Sequence, residues 1–183
     1  MTIENQQVPP PPKKTSLKKA LLLVAGGLLL VLAPTIVDYY QNPHINGTPQ
    51  KIDMVEPVTI HTKNGKINLW AEIARTPKEQ EIGLMFRDHL AADKAMLFIQ
   101  AQPQNQGSSF WMKNTFIPLD IIFISPNNRV VYVAHNAKPL DETPVGTTAP
   151  VQSVLEINGG LAAQWGIAVG DRISSPSFNQ KVN

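Results

Sequence analysis

Alternating apolar and polar positions dominate the second half of the chain and predict short β-strands. Residues 58–62 and 67–73 alternate in this way, and Asn64 and Gly65 between them are typical of a tight hairpin turn. Further strands are predicted at residues 95–99, 110–113, 120–124, 130–134, 153–157 and 172–174. The pattern predicts a mainly β (α+β) domain with a compact, antiparallel, barrel-like sheet.

Two short helices are predicted among these strands. Thr76 is a capping threonine, proline follows it at the first helical position, and Glu79 stands three residues after the cap. This arrangement predicts a helix over residues 77–86. A second short helix is predicted over residues 159–165, with Asn158 as its cap.

The segment 110–124 carries an unusual mixture of side chains. Alternating residues at its start and apolar residues at its end, separated by a proline-containing loop, predict a β-hairpin. Antiparallel pairing would place Lys113 opposite Asp120, on the same face as the indole of Trp111. In the alternative interpretation the Lys–Asp pair only fixes the register, contributing about 0.2–1 kcal/mol when exposed. In this interpretation Trp111 contributes only to packing, and Asn114 forms the turn.

An uncharged apolar stretch at residues 20–37 has about the length that a membrane-spanning helix needs. Four lysines precede it, and the next basic residue is Lys51, which favours a cytoplasmic N-terminus. The chain is therefore predicted to be a single-pass protein of the cell membrane with its main domain extracytoplasmic, in the periplasm. The alternative is a cleaved secretory signal, for which the stretch is long and lacks a small-residue cleavage site.

Composition then divides the chain into five parts. Four consecutive prolines precede the apolar stretch, and Asn, Pro, Gly and Gln are frequent after it, as in polar tails and tethers. The predicted parts are a disordered cytoplasmic tail at 1–19, a transmembrane helix at 20–37, a linker at 38–56, the extracytoplasmic β domain at 57–175 and a disordered tail at 176–183.

Charge and motif content exclude several function classes. Of the sixteen basic residues, four precede the apolar stretch, and the twelve that remain face thirteen acidic residues when Glu4 is set aside. With no basic stripe in the exported part, nucleic acid is not an expected partner. The four histidines are scattered, cysteine is absent, and no phosphate-binding glycine loop occurs. No metal and no cofactor are therefore predicted.

Five sequence segments together resemble a known family. They are Gly-Leu-Met-Phe-Arg at 83–87, Met-Leu-Phe at 96–98, Phe-Trp-Met-Lys-Asn-Thr at 110–115 with Pro-Leu-Asp at 118–120, Leu-Glu-Ile-Asn at 155–158, and Gly-Ile with Gly-Asp at 166–171. This pattern resembles domain-of-unknown-function family 192, which occurs in exported or membrane-attached prokaryotic proteins. The resemblance covers about residues 58–173. It implies a compact, mainly antiparallel β domain with short helices, and it supplies no activity.

Two carboxyl groups adjoin apolar strand segments, where desolvation raises a carboxyl pKa unless a cation or an amide compensates. Asp120 and Glu156 could serve as acid and base. In the alternative interpretation Lys113 or loop amides hold Asp120, and Arg87 holds Glu156, so that both carboxylates are structural. The sequence leaves catalysis open and favours a non-enzymatic role.

The favoured hypothesis is a site for a small polar ligand or an envelope component at the Trp111 hairpin. An indole beside amide and charged groups suits recognition of a glycan, a peptide or a partner protein. The alternatives are an envelope hydrolase that uses Asp120 or Glu156, and an assembly factor whose loop at 135–151 docks a membrane protein. The predicted binding residues are Trp111, Lys113, Asn114, Asp120, Arg87, Glu156 and Asn158.

Overall fold

The computed structural model describes residues 47–179. The predicted cytoplasmic tail at 1–19 and transmembrane helix at 20–37 lie outside the described residues. Within the described range, neither α-helix combines the length and the hydropathy that a membrane crossing requires.

The described chain is mainly β with two short α-helices. The strands are β1 (Val55–Thr62), β2 (Gly65–Ala74), β3 (Lys94–Gln104), β4 (Ser108–Phe110), β5 (Leu119–Ile124), β6 (Val130–Ala137), β7 (Val145–Thr147), β8 (Val151–Asn158) and β9 (Arg172–Ser174). The helices are α1 (Pro77–Ile82), α2 (Leu161–Trp165) and a 3-10 helix at Pro176–Asn179. Most elements predicted from the pattern are thus present. The strand predicted at 110–113 is replaced by β4, which ends at Phe110, and the structure adds β7 within the segment that was predicted as a long loop.

Seven strands form one curled, half-barrel sheet in the order β6-β5-β8-β3-β2-β1-β9, and β4 pairs with β7 in a separate two-stranded ribbon. All neighbours are antiparallel except β2 and β3, which α1 connects and which run parallel. At one end the edge strands approach each other, since Arg129 bridges Arg172 and Val130 N donates to Asp171 O at 2.9 Å. The curl thereby covers edges that would otherwise be free to pair with another chain.

The hairpin predicted for residues 110–124 is wrong. Strand β4 ends at Phe110 and pairs with β7, whereas β5 pairs with β6 on one side and β8 on the other. All six residues of β5 are buried, as a central strand with two neighbours requires. The chain between β4 and β5 instead leaves the sheet and covers one of its faces.

The first hairpin and the first helix confirm the local sequence signals. Strand β1 pairs over its whole length with β2 around the Asn64–Gly65 turn. At the start of α1, Glu79 N donates to Thr76 Oγ1 at 3.2 Å and Thr76 N donates to the Glu79 carboxylate at 2.8 Å. The helix ends at Ile82, earlier than predicted, because Gly83 takes a φ of 50° that favours glycine and terminates the helix.

Both faces of the seven-stranded sheet are buried. One face packs against α2 and forms a cluster with members from β1 to β9, among them Ile60, Leu97 and Ile173. The opposite face, which includes Met96 and Phe123, is covered by the chain after α1 and the chain after β4. The candidate site lies under this second cover.

The folded region extends beyond the predicted limits of residues 57 and 175. Ile52 is buried, and β1 begins at Val55, within the predicted linker. At the other end Ser177 donates to the Glu56 carboxylate through Oγ at 2.6 Å and through its backbone N at 3.0 Å. The disordered tail predicted from residue 176 is therefore too long, because a carboxylate on β1 anchors the 3-10 helix.

Asp120 connects three elements of the fold. Its carboxylate is fully buried and accepts hydrogen bonds from Asn136 N at 2.7 Å and from Ala162 N at 2.6 Å. It therefore fixes the end of β6 and satisfies a free amide in the first turn of α2. Asn158, the predicted cap of that helix, instead donates to Leu90 O at 2.8 Å.

We expect Asp120→Asn to destabilise the domain by about 2–4 kcal/mol, because the amide cannot accept from both N–H groups and leaves a buried donor unsatisfied. Urea denaturation of the full chain measures the free energy of unfolding. The matched control is Asp53→Asn, at an exposed carboxylate. Equal stability of the two variants would contradict the structural role of Asp120.

Candidate functional site

The candidate site begins as a row of side chains across the covered face of the sheet. Glu72 on β2 pairs in register with Met96 on β3, Met96 with Glu156 on β8, and Glu156 with Ile121 on β5. Because paired residues point to the same face, the row places two carboxyl groups on either side of one methionine. Glu156 is buried, with 4% of its surface exposed.

Two loops cover this row. The first follows α1 and brings Leu84 and Met85 over the sheet, and the second follows β4 and brings Trp111 and Thr115. Phe86 joins the loops because its N donates to Asn114 O at 2.7 Å. Both residues of this contact have positive φ values, 65° for Phe86 and 53° for Asn114. The left-handed conformation costs a residue such as phenylalanine about 1–3 kcal/mol, so the surrounding packing must hold it.

A cavity of about 270 Å³ remains between the loops and the sheet. Trp111, which is 46% exposed, lies at its wall together with Phe110, Ser109, Thr115 and Glu156. Edge-to-face contacts of Phe110 with rings on β3 and β5 fix β4 against the sheet. Strand β7, within the segment 135–151, pairs with β4 and so braces this wall from outside.

Glu156 differs from a surface carboxyl in its protonation. Burial raises the pKa of Glu156 to about 8, and the positive charge of Arg87 only partly opposes this rise. No residue within 47–179 makes a hydrogen bond or an ion pair to its carboxyl group. Glu156 is therefore mostly neutral at pH 7 and faces the cavity with free hydrogen-bonding capacity.

Arg87 is committed to a different carboxylate. Its two terminal nitrogens each contact a Glu72 oxygen at 2.6 Å, and Nη2 also lies 3.3 Å from Gln50 O. Such a forked pair neutralises Glu72 and fixes the guanidinium in place. Arg87 Nε is buried and has no hydrogen-bond partner among the described residues.

The structure brings some predicted binding residues together and separates others. Trp111 and Glu156 share the cavity, and Arg87 lies close enough to influence Glu156. The predicted pair of Lys113 with Asp120 is wrong, because Asp120 is sealed under the fold by two backbone amides. Lys113 Nζ instead lies 5.1 Å from the centroid of the Trp111 ring.

Asn114 and Asn158 have backbone roles in this arrangement. Asn114 occupies a left-handed turn position and accepts from Phe86, while Asn158 ties β8 to the loop before β3. Neither residue is among those that line the cavity. Sequence reasoning missed Glu72 and Thr115. An acidic side chain on a strand rich in β-formers was the available signal for Glu72, whereas Thr115 carried none.

Metal binding has no visible site in this part of the chain. Within residues 47–179 no group of three or more histidine, aspartate or glutamate side chains is arranged to hold an ion.

Comparison with known proteins identifies relatives without an assigned activity. The sequence profile of DUF192, described as an uncharacterized ACR, matches residues 59–175. No curated protein matches the chain.

Two solved structures share the fold at substantial identity. One is a protein of unknown function from Novosphingobium aromaticivorans DSM 12444, with 42% identity and a TM-score of 0.64, and the match covers 72% of this chain and 95% of that one. The other is a candidate transcription regulator from Sinorhizobium meliloti 1021, with 34% identity and a TM-score of 0.65. That match covers 69% of this chain and 97% of the other.

The raised pKa of Glu156 predicts a pH-dependent stability. Below the ordinary carboxyl pKa of 4.5 both the folded and the unfolded chain are protonated at this residue. As the pH rises from 4.5 to about 8, only the unfolded chain releases the proton, so the folded state is progressively disfavoured.

We therefore expect Glu156→Gln, which is neutral at every pH, to gain stability over the unmodified chain by about 1.4 kcal/mol per pH unit across this window. Urea denaturation of both proteins at several pH values measures the difference in unfolding free energy. A difference that does not change with pH would show that Glu156 titrates normally.

Proposed function

Because this chain belongs to DUF192, a family that supplies a fold and no activity, we propose that its domain is a binding module whose site is the Trp111 cavity. The ligand is a small polar molecule or an exposed part of a cell-envelope component. The observation that carries this proposal is the buried, unpartnered carboxyl of Glu156 facing a cavity with a half-exposed indole at its wall. Ligand sites typically combine such apolar walls with a few convergent polar groups.

Binding is favoured over hydrolysis by the position of the second carboxylate. An acid–base mechanism with Asp120 and Glu156 needs both groups at the substrate. Asp120 uses its oxygens on the amides of Asn136 and Ala162 and does not line the cavity. Glu156 supplies one acidic group at the cavity. The second carboxyl group of an acid–base pair, Asp120, does not reach it.

We also propose that the domain lies outside the cytoplasm and that residues 20–37 tether it to the membrane. The support is the uncharged apolar stretch and the lysines that precede it. A nearly neutral charge after this stretch argues against nucleic acid as the ligand. Envelope glycans and peptides are the polar molecules that such a domain would meet.

The topology is tested by fractionation of cells that express the full chain. We expect the protein to stay with the membrane after alkaline carbonate extraction, and a variant lacking residues 20–37 to be released. Externally added protease should digest the domain of the full-length protein in spheroplasts. Release of the full chain by carbonate, or protection from protease, would contradict the anchored, extracytoplasmic arrangement.

The binding role is tested by Trp111→Ala in a thermal-shift screen of envelope sugars and peptides. Because Trp111 is half exposed, we expect the substitution to cost about 1 kcal/mol or less in stability. It should abolish any ligand-induced rise in the melting temperature.

Trp70→Ala is the matched control, since Trp70 is 50% exposed and is not among the residues that line the cavity. The control should keep the full ligand response. Equal responses from the two tryptophan variants would place the binding site elsewhere.

A further inference from the structure

The ionisable side chains that line the cavity within residues 47–179 are acidic. They are Glu81 on α1 and Glu156 on β8, and no lysine or arginine of the described residues is among them. When Glu156 is ionised, such a lining attracts cations and repels anions. The proposed site therefore selects ligands by charge before any specific contact forms.

Glu156 requires a partner that residues 47–179 do not supply. A buried polar group without a hydrogen bond destabilises the folded state, and a buried charge without a counterion does so more strongly. Arg87, whose positive charge acts on Glu156, is already paired with Glu72. When Glu156 is ionised it accepts hydrogen bonds only, so its missing partner is then a donor, and a donor with positive charge also compensates the buried negative charge.

The aromatic wall favours the same chemistry. The ring of Trp111 already holds an ammonium group, because Lys113 Nζ lies 5.1 Å from its centroid. The negative face of an indole attracts cations within about 6 Å. Phe110 and Phe98 add further aromatic surface to the cavity.

We propose that the Trp111 cavity binds a primary ammonium group carried on a short apolar stem, with the Glu156 carboxylate as its counterion. This inference rests on the proposed binding function and specifies its ligand class. The cavity, at about 270 Å³, accepts the amine-bearing end of a molecule, such as an amino-acid side chain, with the rest outside.

Binding and protonation are then linked. The charged groups around Glu156 are Arg87 from the loop after α1, Glu72 from β2, Glu81 from α1 and Lys113 beside Trp111. The ammonium binds the ionised carboxylate, so each binding event below pH 8 releases a proton from Glu156. The affinity should therefore rise about tenfold per pH unit up to this pKa and level off above it.

The test follows the indole N–H signals of the three tryptophans by NMR, with the full chain in detergent micelles. The probes are n-butylammonium chloride, 1-butanol as the neutral analogue and sodium butyrate as the anionic one. We expect n-butylammonium to shift the Trp111 signal saturably, while Trp70 stays unmoved. Sodium chloride at equal concentration controls for ionic strength.

Two variants and a pH series identify the counterion. Glu156→Gln should weaken n-butylammonium binding at least about tenfold, as expected for loss of a buried charge partner. Glu142→Gln, at an exposed loop position outside the cavity, should bind like the unmodified chain. If Glu156→Gln does not fold, the pH series on the unmodified chain still tests whether Glu156 is the counterion. An affinity for n-butylammonium that does not change between about pH 6 and pH 8 overturns the proposal.

The outcomes separate this inference from the binding function. If 1-butanol or butyrate shifts Trp111 as strongly as n-butylammonium, the ammonium preference is wrong and the cavity still binds. If n-butylammonium leaves Trp111 unmoved while a sugar or peptide from the thermal-shift screen moves it, the ligand class is wrong and the site is right. If no compound moves Trp111, both proposals fail.

Discussion

Two-sided burial of a single sheet governs how this domain is built and where its site lies. Helix α2 and the curl of the sheet itself enclose one face, while the other face requires a cover made from loops. Loops pack less completely than helices because their backbone groups need partners of their own. The cavity at Trp111 is the space that the two covering loops leave over the sheet at Phe98 and Glu156.

The row from Glu72 to Ile121 shows how the position of a carboxyl group determines which partners it has. Glu72 and Glu156 are separated by Met96, yet one has the Arg87 fork and the other has no partner within the described residues. Burial of the unpaired Glu156 carboxyl raises its pKa to about 8. Two identical residues on one face therefore differ in the partners that the described part of the chain gives them.

Local signals in the sequence predicted the local structure well. The Asn64–Gly65 turn and the capping box at Thr76 involve neighbouring residues, so their outcome hardly depends on the rest of the fold. The hairpin at Trp111 failed because alternation over four residues does not reveal whether a strand continues. The burial of β5 and its pairing with β8 depend on residues 29 to 39 positions further along the chain.

Two members of the candidate site were predictable from the sequence, but the contacts of the predicted residues were not. Trp111 and Glu156 stood out as an indole and a carboxyl beside apolar segments, and the structure places both in one cavity. The partners of Asp120 are backbone amides, which every residue carries and which no sequence pattern can single out. For the same reason the commitment of Arg87 to Glu72 required the three-dimensional register.

The bond between Ser177 and Glu56 brings the beginning of β1 next to the end of the folded chain. A domain whose ends lie close together tolerates insertion into a loop of another protein without disturbance of its core. It also tolerates circular permutation, in which the old termini are joined and new ones are made at a turn. The Asn64–Gly65 turn offers a new opening point away from the cavity. The domain can therefore be joined to other chains with little change in its own structure.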